Sequence, residues 1–166
     1  MENILGKIKN LKKESTEVKP LSIHLEEIIP KPVDEVFDAV IDSGKLTGYF
    51  ALNASGSLIE GNTVTWDFGE CGKFDVVVKQ IRKNELINLE WFVGGVNCNI
   101  NIAFTSIENN STKIIIDETG WTLKEENIKE AMDRVQGWTN FLDSLKAYVL
   151  HNVDLREGRF AGALNM

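Results

Sequence analysis

From Ala54 to residue 119 the chain consists of short segments typical of strands, beginning with SGSLIEG, and in most of them apolar and polar side chains alternate. This pattern limits the possible folds more than any other feature of the sequence. Alternation with a period of two is typical of strands that bury one face. In NCNINIAF, the clearest case, Cys98 and two isoleucines alternate with three asparagines. Short turns such as Gly94-Gly95 separate the segments, which predicts antiparallel neighbours in a meander.

Helical patterns lie on both sides of these strands. An alternating strand over residues 21–29 is followed by the helix PVDEVFDAVID, and KLTGYFAL predicts a second short helix or a turn. From about Lys124 to Leu150, apolar residues recur at spacings of three and four, which predicts one long helix with a buried stripe. That stripe is predicted to contain Ile128, Ala131, Met132, Val135, Trp138, Thr139, Leu142, Leu145 and Val149.

These elements predict a single α+β domain over residues 20–166, because 166 residues with 43% hydrophobic content suit one core. Residues 1–19 form a predicted helical extension, since Ile4, Leu5, Ile8 and Leu11 follow helical spacing among lysines. The extension can pack on the domain, or it can touch a partner or a membrane surface.

Charge and composition exclude several classes of protein. The net charge of −7 argues against a nucleic-acid partner. No apolar run reaches the roughly 18 residues of a spanning helix, so membrane insertion is not expected. The N-terminus does not have the pattern of a signal peptide, which favours the cytoplasm. Cys71 and Cys98 lack metal-ligand spacing, as do His24 and His151, so neither a metal nor a cofactor is predicted.

Five segments resemble a known family. IPKPVDEVFDAVID is similar to its strand-to-helix entry, LTGYF to its second short helix, and NASGSLIEGNTVTWDFG to its first hairpin. DETGW resembles the end of its last strand, and GWTNFLDSLKAYVLHNVDLREGRF resembles its final helix and tail. The family is the START/SRPBCC superfamily, and in particular its subfamily named after the activator of the heat-shock-protein-90 ATPase. The resemblance covers about residues 20–160.

The resemblance implies a helix-grip fold, in which a curved antiparallel sheet of six to seven strands wraps around the long C-terminal helix and two short helices follow the first strand. It also implies a cavity under that helix, opening toward the loops. Many relatives take small apolar or amphipathic ligands, and some, such as aromatase/cyclases of polyketide synthesis, turn them over. The member that names the subfamily stimulates a chaperone ATPase.

Large inward-facing side chains are the candidate ligand contacts. Their aromatic rings can form rigid pocket walls, or they can simply fill the core. Tyr49 and Phe50 can cover a pocket mouth or anchor the second short helix. The predicted contacts are Tyr49, Phe50, Trp66, Phe68, Phe74, Trp91, Ile102, Phe104, Glu118, Trp138 and Leu142.

Glu118 is the one weak candidate for a catalytic group. By strand parity it shares a face with Ile114 and Ile116, which would turn its carboxylate toward the interior. A carboxylate in an apolar pocket has a raised pKa and can act as an acid or a base. Because Ile115 is apolar too, and because a bulge near Gly120 would reverse the facing, a solvent-exposed or rim position stays open.

The sequence thus predicts a binding domain for a small apolar or amphipathic ligand, with no readable catalytic constellation. One alternative is a cyclase- or hydrolase-type enzyme that uses Glu118. Another is a protein-interaction module resembling a chaperone cofactor. Spare apolar residues in residues 1–19 and in the tail LREGRFAGALNM also allow a homodimer.

Overall fold

The computed structural model describes residues 20–157. These residues form seven strands and three α-helices. In chain order the elements are β1 (Leu21–Ile29), α1 (Val33–Ile41), α2 (Ser43–Leu46), β2 (Asn53–Ala54), β3 (Thr63–Asp67), β4 (Lys73–Arg82), β5 (Leu86–Val93), β6 (Val96–Ile107), β7 (Ser111–Trp121) and α3 (Glu125–His151). The predicted helix over residues 1–19 and the apolar residues of the tail from 158 onward lie outside the described part.

All neighbouring strands are antiparallel, in the order β1-β7-β6-β5-β4-β3-β2. Strands β2 to β7 form the predicted meander, and β1 pairs with β7 at the far edge. Helix α3 packs against β1, β7 and α1. The predicted helix-grip fold is therefore confirmed, with its two short helices after the first strand. Within residues 20–157, no helix is long and apolar enough to cross a membrane.

The early strand differs from its prediction. The segment SGSLIEG was expected to form a strand, but the pairing falls just before it, at Asn53 and Ala54. Gly61 has a positive φ of 85°, and only Leu58 of this segment reaches the core. The segment therefore forms a loop that inserts the Leu58 side chain into the core.

Helix α3 buries only part of the predicted stripe. Ile128, Met132 and Val135 are exposed. The buried positions are Asn127, Ala131, Trp138, Phe141, Leu142, Ser144 and Leu145. Ala131, Trp138, Leu142 and Leu145 are buried as predicted, but the inward row also takes in Asn127, Arg134 and Phe141 instead of Ile128, Met132 and Val135. Asn127 and Arg134 are polar, and for this reason the apolar pattern favoured the neighbouring row.

A bulge at Gly120 sets the phase of β7. Glu118 pairs with Ile23 of β1, whereas Trp121 pairs with Leu21, so the register shifts between the two pairs. Gly120 has a φ of 113°, and a Cβ there would lie 2.4 Å from the Asn97 carbonyl oxygen. Because the bulge follows Glu118, that residue keeps the inward phase, and Trp121 turns inward as well, contrary to simple alternation.

Candidate functional site

A pocket of about 300 Å³ lies between the middle of α3 and the β3–β5 part of the sheet. We call it the aromatic pocket. Its walls are aromatic on the sheet side and largely polar on the helix side. It is lined by Phe50, Phe68, Cys71, Phe74, Trp91, Asp133, Arg134, Gln136, Gly137, Trp138 and Asn140.

The sheet supplies the aromatic wall through strand register. Val76 of β4 pairs with Trp91 of β5. Phe74 therefore lies one step further along the same face, and its ring centroid is 6.0 Å from that of Trp91. Trp138 of α3 stacks on Trp91, with ring centroids 5.6 Å apart and planes 29° apart. This stack joins the sheet to the helix at the floor of the aromatic pocket.

Two phenylalanines extend the wall toward the loops. Phe50, which follows α2, meets Phe68 edge-on at a centroid distance of 5.0 Å. Phe68 in turn lies 5.8 Å from Phe74. Phe50 also contacts Phe141 of α3 at 4.8 Å. The loops after α2 and β3 are thus fixed to the helix by edge-to-face ring contacts.

Glu118 lies behind the stacked tryptophans. It is fully buried in β7 between Ile23 and Ile100. The Trp138 indole N–H donates to Oε2 at 2.6 Å, and the Trp91 indole N–H donates to Oε1 at 3.0 Å. One carboxylate therefore holds both indoles in place, and it does not itself line the aromatic pocket.

Burial raises the pKa of Glu118, while hydrogen bonds from the two indoles and the nearby positive charge of Arg134 act in the opposite direction. Cys98 is fully buried beside the same carboxylate. Desolvation, and then the negative charge of Glu118, raises the pKa of the Cys98 thiol to about 12. This thiol is therefore not a nucleophile at neutral pH.

Arg134 crosses the helix side of the aromatic pocket. Its guanidinium carbon lies 5.3 Å from the Phe74 ring centroid and 5.8 Å from that of Trp91. Both distances fall within the range of cation–π contact. Arg134 is thus held against the aromatic wall with its charged group in the pocket.

Gly137 opens the aromatic pocket on the helix side. Outside its chain neighbours and the adjacent helix backbone, no atom lies within 4 Å of where its Cβ would be. The missing side chain leaves free volume next to Trp138. Cys71, in a single 3₁₀ turn after β3, is exposed at the opposite wall.

Five of the predicted contacts line the aromatic pocket, namely Phe50, Phe68, Phe74, Trp91 and Trp138. Tyr49 does not cover the mouth. It is fully buried, and its hydroxyl donates to the Ala39 carbonyl oxygen at 3.0 Å. Ile102 and Leu142 are core residues, and Phe104 packs edge-on against Phe37. Trp66 is buried behind Phe50 and Trp91.

The polar side of the aromatic pocket was missed by the sequence analysis. Arg134 lies one helical turn before Trp138 and therefore shares its face. That spacing indicates a shared face, but a stripe defined by apolar residues does not include a charged one. Cys71 gave no signal, because the 3₁₀ turn that carries it read as an ordinary strand connection.

A second depression, of about 550 Å³, lies between α1 and the β4–β5 turn. Asp34, Glu35, Asp38, Lys45 and Lys83 are among its walls. It is larger than the aromatic pocket and more open to solvent, and charged side chains share its lining with Phe37, Ile41 and Ile81. The aromatic pocket is the better candidate site, because it is more enclosed and five aromatic rings line it.

Comparison with known proteins adds a family match. The family model described as "Activator of Hsp90 ATPase homolog 1-like protein" matches residues 30–150. No curated protein matches the chain significantly.

Several solved structures share the fold. A protein of the dynemicin biosynthetic locus is 23% identical, with a TM-score of 0.70 over 79% of this chain, which spans only 48% of that protein. A protein of Staphylococcus saprophyticus is 24% identical, with a TM-score of 0.68, over 82% of this chain and 96% of its own. The Aha1 dimer from Colwellia psychrerythraea is 18% identical, with a TM-score of 0.68, over 78% and 96%.

Proposed function

The chain belongs to the family of activator of Hsp90 ATPase homolog 1-like proteins, and from this premise we propose that it binds a small apolar or amphipathic molecule in the aromatic pocket. The observation that carries the proposal is the pocket itself, whose five aromatic rings come from the sheet, two loops and α3. Ligand pockets range over roughly 300–1,000 Å³, so a volume of about 300 Å³ suits a small ligand of one or two rings.

The placement of Glu118 supports binding rather than turnover. A general acid or base must come within hydrogen-bond reach of the reacting atom. Glu118 is fully buried, and each of its oxygens already accepts an indole N–H from a residue that lines the pocket. Its role in this proposal is to orient Trp91 and Trp138.

The test is direct binding to a panel of short-chain lipids, flavonoids and polyketide-like aromatics, measured by calorimetry with the wild-type chain and two variants. Gly137→Leu places a side chain in the open volume of the pocket. We expect it to weaken binding at least tenfold. Thr139→Leu adds a leucine at an exposed position of the same helix, outside the pocket, and should leave affinity unchanged.

A chemical readout complements calorimetry. The exposed Cys71 thiol lines the pocket, while Cys98 is buried with a pKa of about 12, so a thiol reagent should label Cys71 alone. Bound ligand should slow that labelling. The proposal fails if no class of compound binds, or if Gly137→Leu and Thr139→Leu bind equally to a ligand that protects Cys71.

We also propose that two copies associate through an exposed apolar row on α3, formed by Ile128, Met132 and Val135. Ile128, Met132 and Val135 are 39%, 68% and 39% exposed, and they follow one another at helical spacing. Contiguous exposed apolar patches mark protein–protein contacts. A relative with the same fold was solved as a dimer. Met132→Lys should shift sedimentation toward monomer, whereas Ile59→Lys, at an exposed loop position, should not. A wild-type chain that sediments only as monomer would refute association.

A further inference from the structure

Arg134 has hydrogen-bonding capacity that the described residues do not use. A guanidinium carries five N–H donors. Its Nε is buried without a hydrogen-bond partner among residues 20–157. Its one ion-pair contact in that part of the chain joins Nη2 to an oxygen of Glu130 at 4.0 Å, which is too long for a hydrogen bond.

This arginine is not a mobile surface residue. Its side chain is 22% exposed and is held against the rings of Phe74 and Trp91. Immobilising a guanidinium in advance reduces the entropy lost when it binds a partner. Arg134 lines the pocket and its side chain is partly exposed, so a ligand can supply an acceptor to the part of the guanidinium that faces the pocket.

The charges around Arg134 narrow the choice of ligand. Glu118 lies behind the tryptophans, where both of its oxygens are taken by indole N–H groups, and it affects Arg134 only through its electric field. Asp133 lies at the exposed rim of the pocket. Arg134 is therefore the cation that meets a ligand whose rings occupy the aromatic wall.

Resting on the proposed function, we propose that the ligand of the aromatic pocket is an amphipathic carboxylate, whose apolar body packs on Phe74, Trp91 and Trp138 and whose carboxylate pairs with Arg134. A planar carboxylate matches the guanidinium fork and forms two parallel hydrogen bonds. The pocket volume of about 300 Å³ leaves room for one or two rings beside such a group.

The test uses pairs of ligands that differ only in charge, such as 1-naphthylacetate with 1-naphthylacetamide, cinnamate with cinnamamide, and octanoate with octanamide. Calorimetry at pH 7 should show each acid binding the wild-type chain about tenfold or more tightly than its amide, since charge-assisted hydrogen bonds are the stronger ones. Raising the salt concentration should reduce the difference in affinity between each acid and its amide.

Variants assign the effect to Arg134. Arg134→Gln should weaken binding of the acids about tenfold or more and leave the amides unchanged. Arg134→Lys keeps the charge without the planar fork, so its affinity for the acids should lie between that of the wild-type chain and that of Arg134→Gln. Arg82→Gln removes a surface arginine that pairs with Glu85 and does not line the aromatic pocket, and is the matched control. Thermal unfolding of each variant checks that it is folded.

The outcomes separate this inference from the function on which it depends. If acids and amides bind the wild-type chain equally, or if Arg134→Gln weakens both equally, the carboxylate inference is overturned while ligand binding stands. If neither the acid–amide pairs nor the wider panel bind, the proposed function fails and the inference fails with it.

Discussion

The carboxylate of Glu118 connects β7 to β5, two strands away in the sheet, and to helix α3. Trp138 and Trp91 each donate one indole N–H to it, at 2.6 and 3.0 Å. Hydrogen bonds to a charged group contribute about 1.5–3 kcal/mol each. Trp121 is buried to the same degree, but its indole N–H has no partner among the described residues.

That difference gives a matched pair of variants. Trp138→Phe and Trp121→Phe remove the same atoms from buried sites, and only the first removes a donor from Glu118. We expect Trp138→Phe to lower the free energy of unfolding by about 1.5–3 kcal/mol more than Trp121→Phe, measured by urea denaturation at pH 7. Equal losses in the two variants would show that the hydrogen bond adds nothing.

The same pair should respond differently to pH. Burial raises the pKa of Glu118 in the folded state above its usual value, so the folded chain holds this proton more tightly than the unfolded chain. The contribution of Glu118 to the free energy of unfolding therefore falls as pH rises from its usual pKa, in the unfolded chain, through its raised pKa in the folded chain. Losing the Trp138 donor should raise that pKa further. The difference in free energy of unfolding between Trp138→Phe and Trp121→Phe should therefore increase from about pH 4 to pH 7. A difference that does not change with pH would contradict this assignment.

At the scale of elements, the bulge in β7 decides which side chains enter the core. Gly120 has a φ of 113°, and a Cβ would lie 2.4 Å from a backbone oxygen. Gly120→Ala should cost at least about 2 kcal/mol in urea denaturation, because backbone strain and a clash coincide. Gly137→Ala is the control, since open space there should let alanine stabilise the helix by up to about 1 kcal/mol. A lower free energy of unfolding for Gly137→Ala would show that helix propensity does not govern that position.

Most elements could be predicted from the sequence because their signals are local. Alternation in β6 and the proline-led start of α1 each depend on nearby residues. Apolar spacing predicted the facing of α3 only in part: Trp138 and Leu142 are buried as expected, but the polar Asn127 and Arg134 of the inward row could not be recognised by that pattern. Trp121 was missed because the bulge before it changes strand parity, a tertiary effect of contact with β6.

The candidate site was harder to predict than the fold. A ring that lines a pocket and a ring that fills the core follow the same alternation, so Phe74 and Phe104 look alike in sequence. What separates them is what each ring meets across the interior. Phe104 packs edge-on against Phe37, whereas Phe74 lines the aromatic pocket beneath the Arg134 guanidinium. Such pairings join residues far apart in the chain and have no local signature.

At the scale of the whole molecule, the aromatic pocket draws on Phe50, Phe74, Trp91 and Trp138, which span most of the domain in sequence. A ligand there should stabilise the domain as one unit. At a free concentration of 100 times its Kd, the expected gain is about 2.7 kcal/mol. Calorimetric unfolding should show one transition displaced upward by several degrees, and a shift confined to part of a split transition would contradict a single cooperative unit.

The stacked indoles of Trp91 and Trp138 give the molecule an optical property of its own. Two chromophores 5.6 Å apart, with planes 29° apart and both N–H groups fixed by one carboxylate, form a chiral pair with coupled electronic transitions. Their circular dichroism depends on the angle between one strand and one helix. Any event that moves α3 relative to β5 would therefore change the near-ultraviolet spectrum without an added dye.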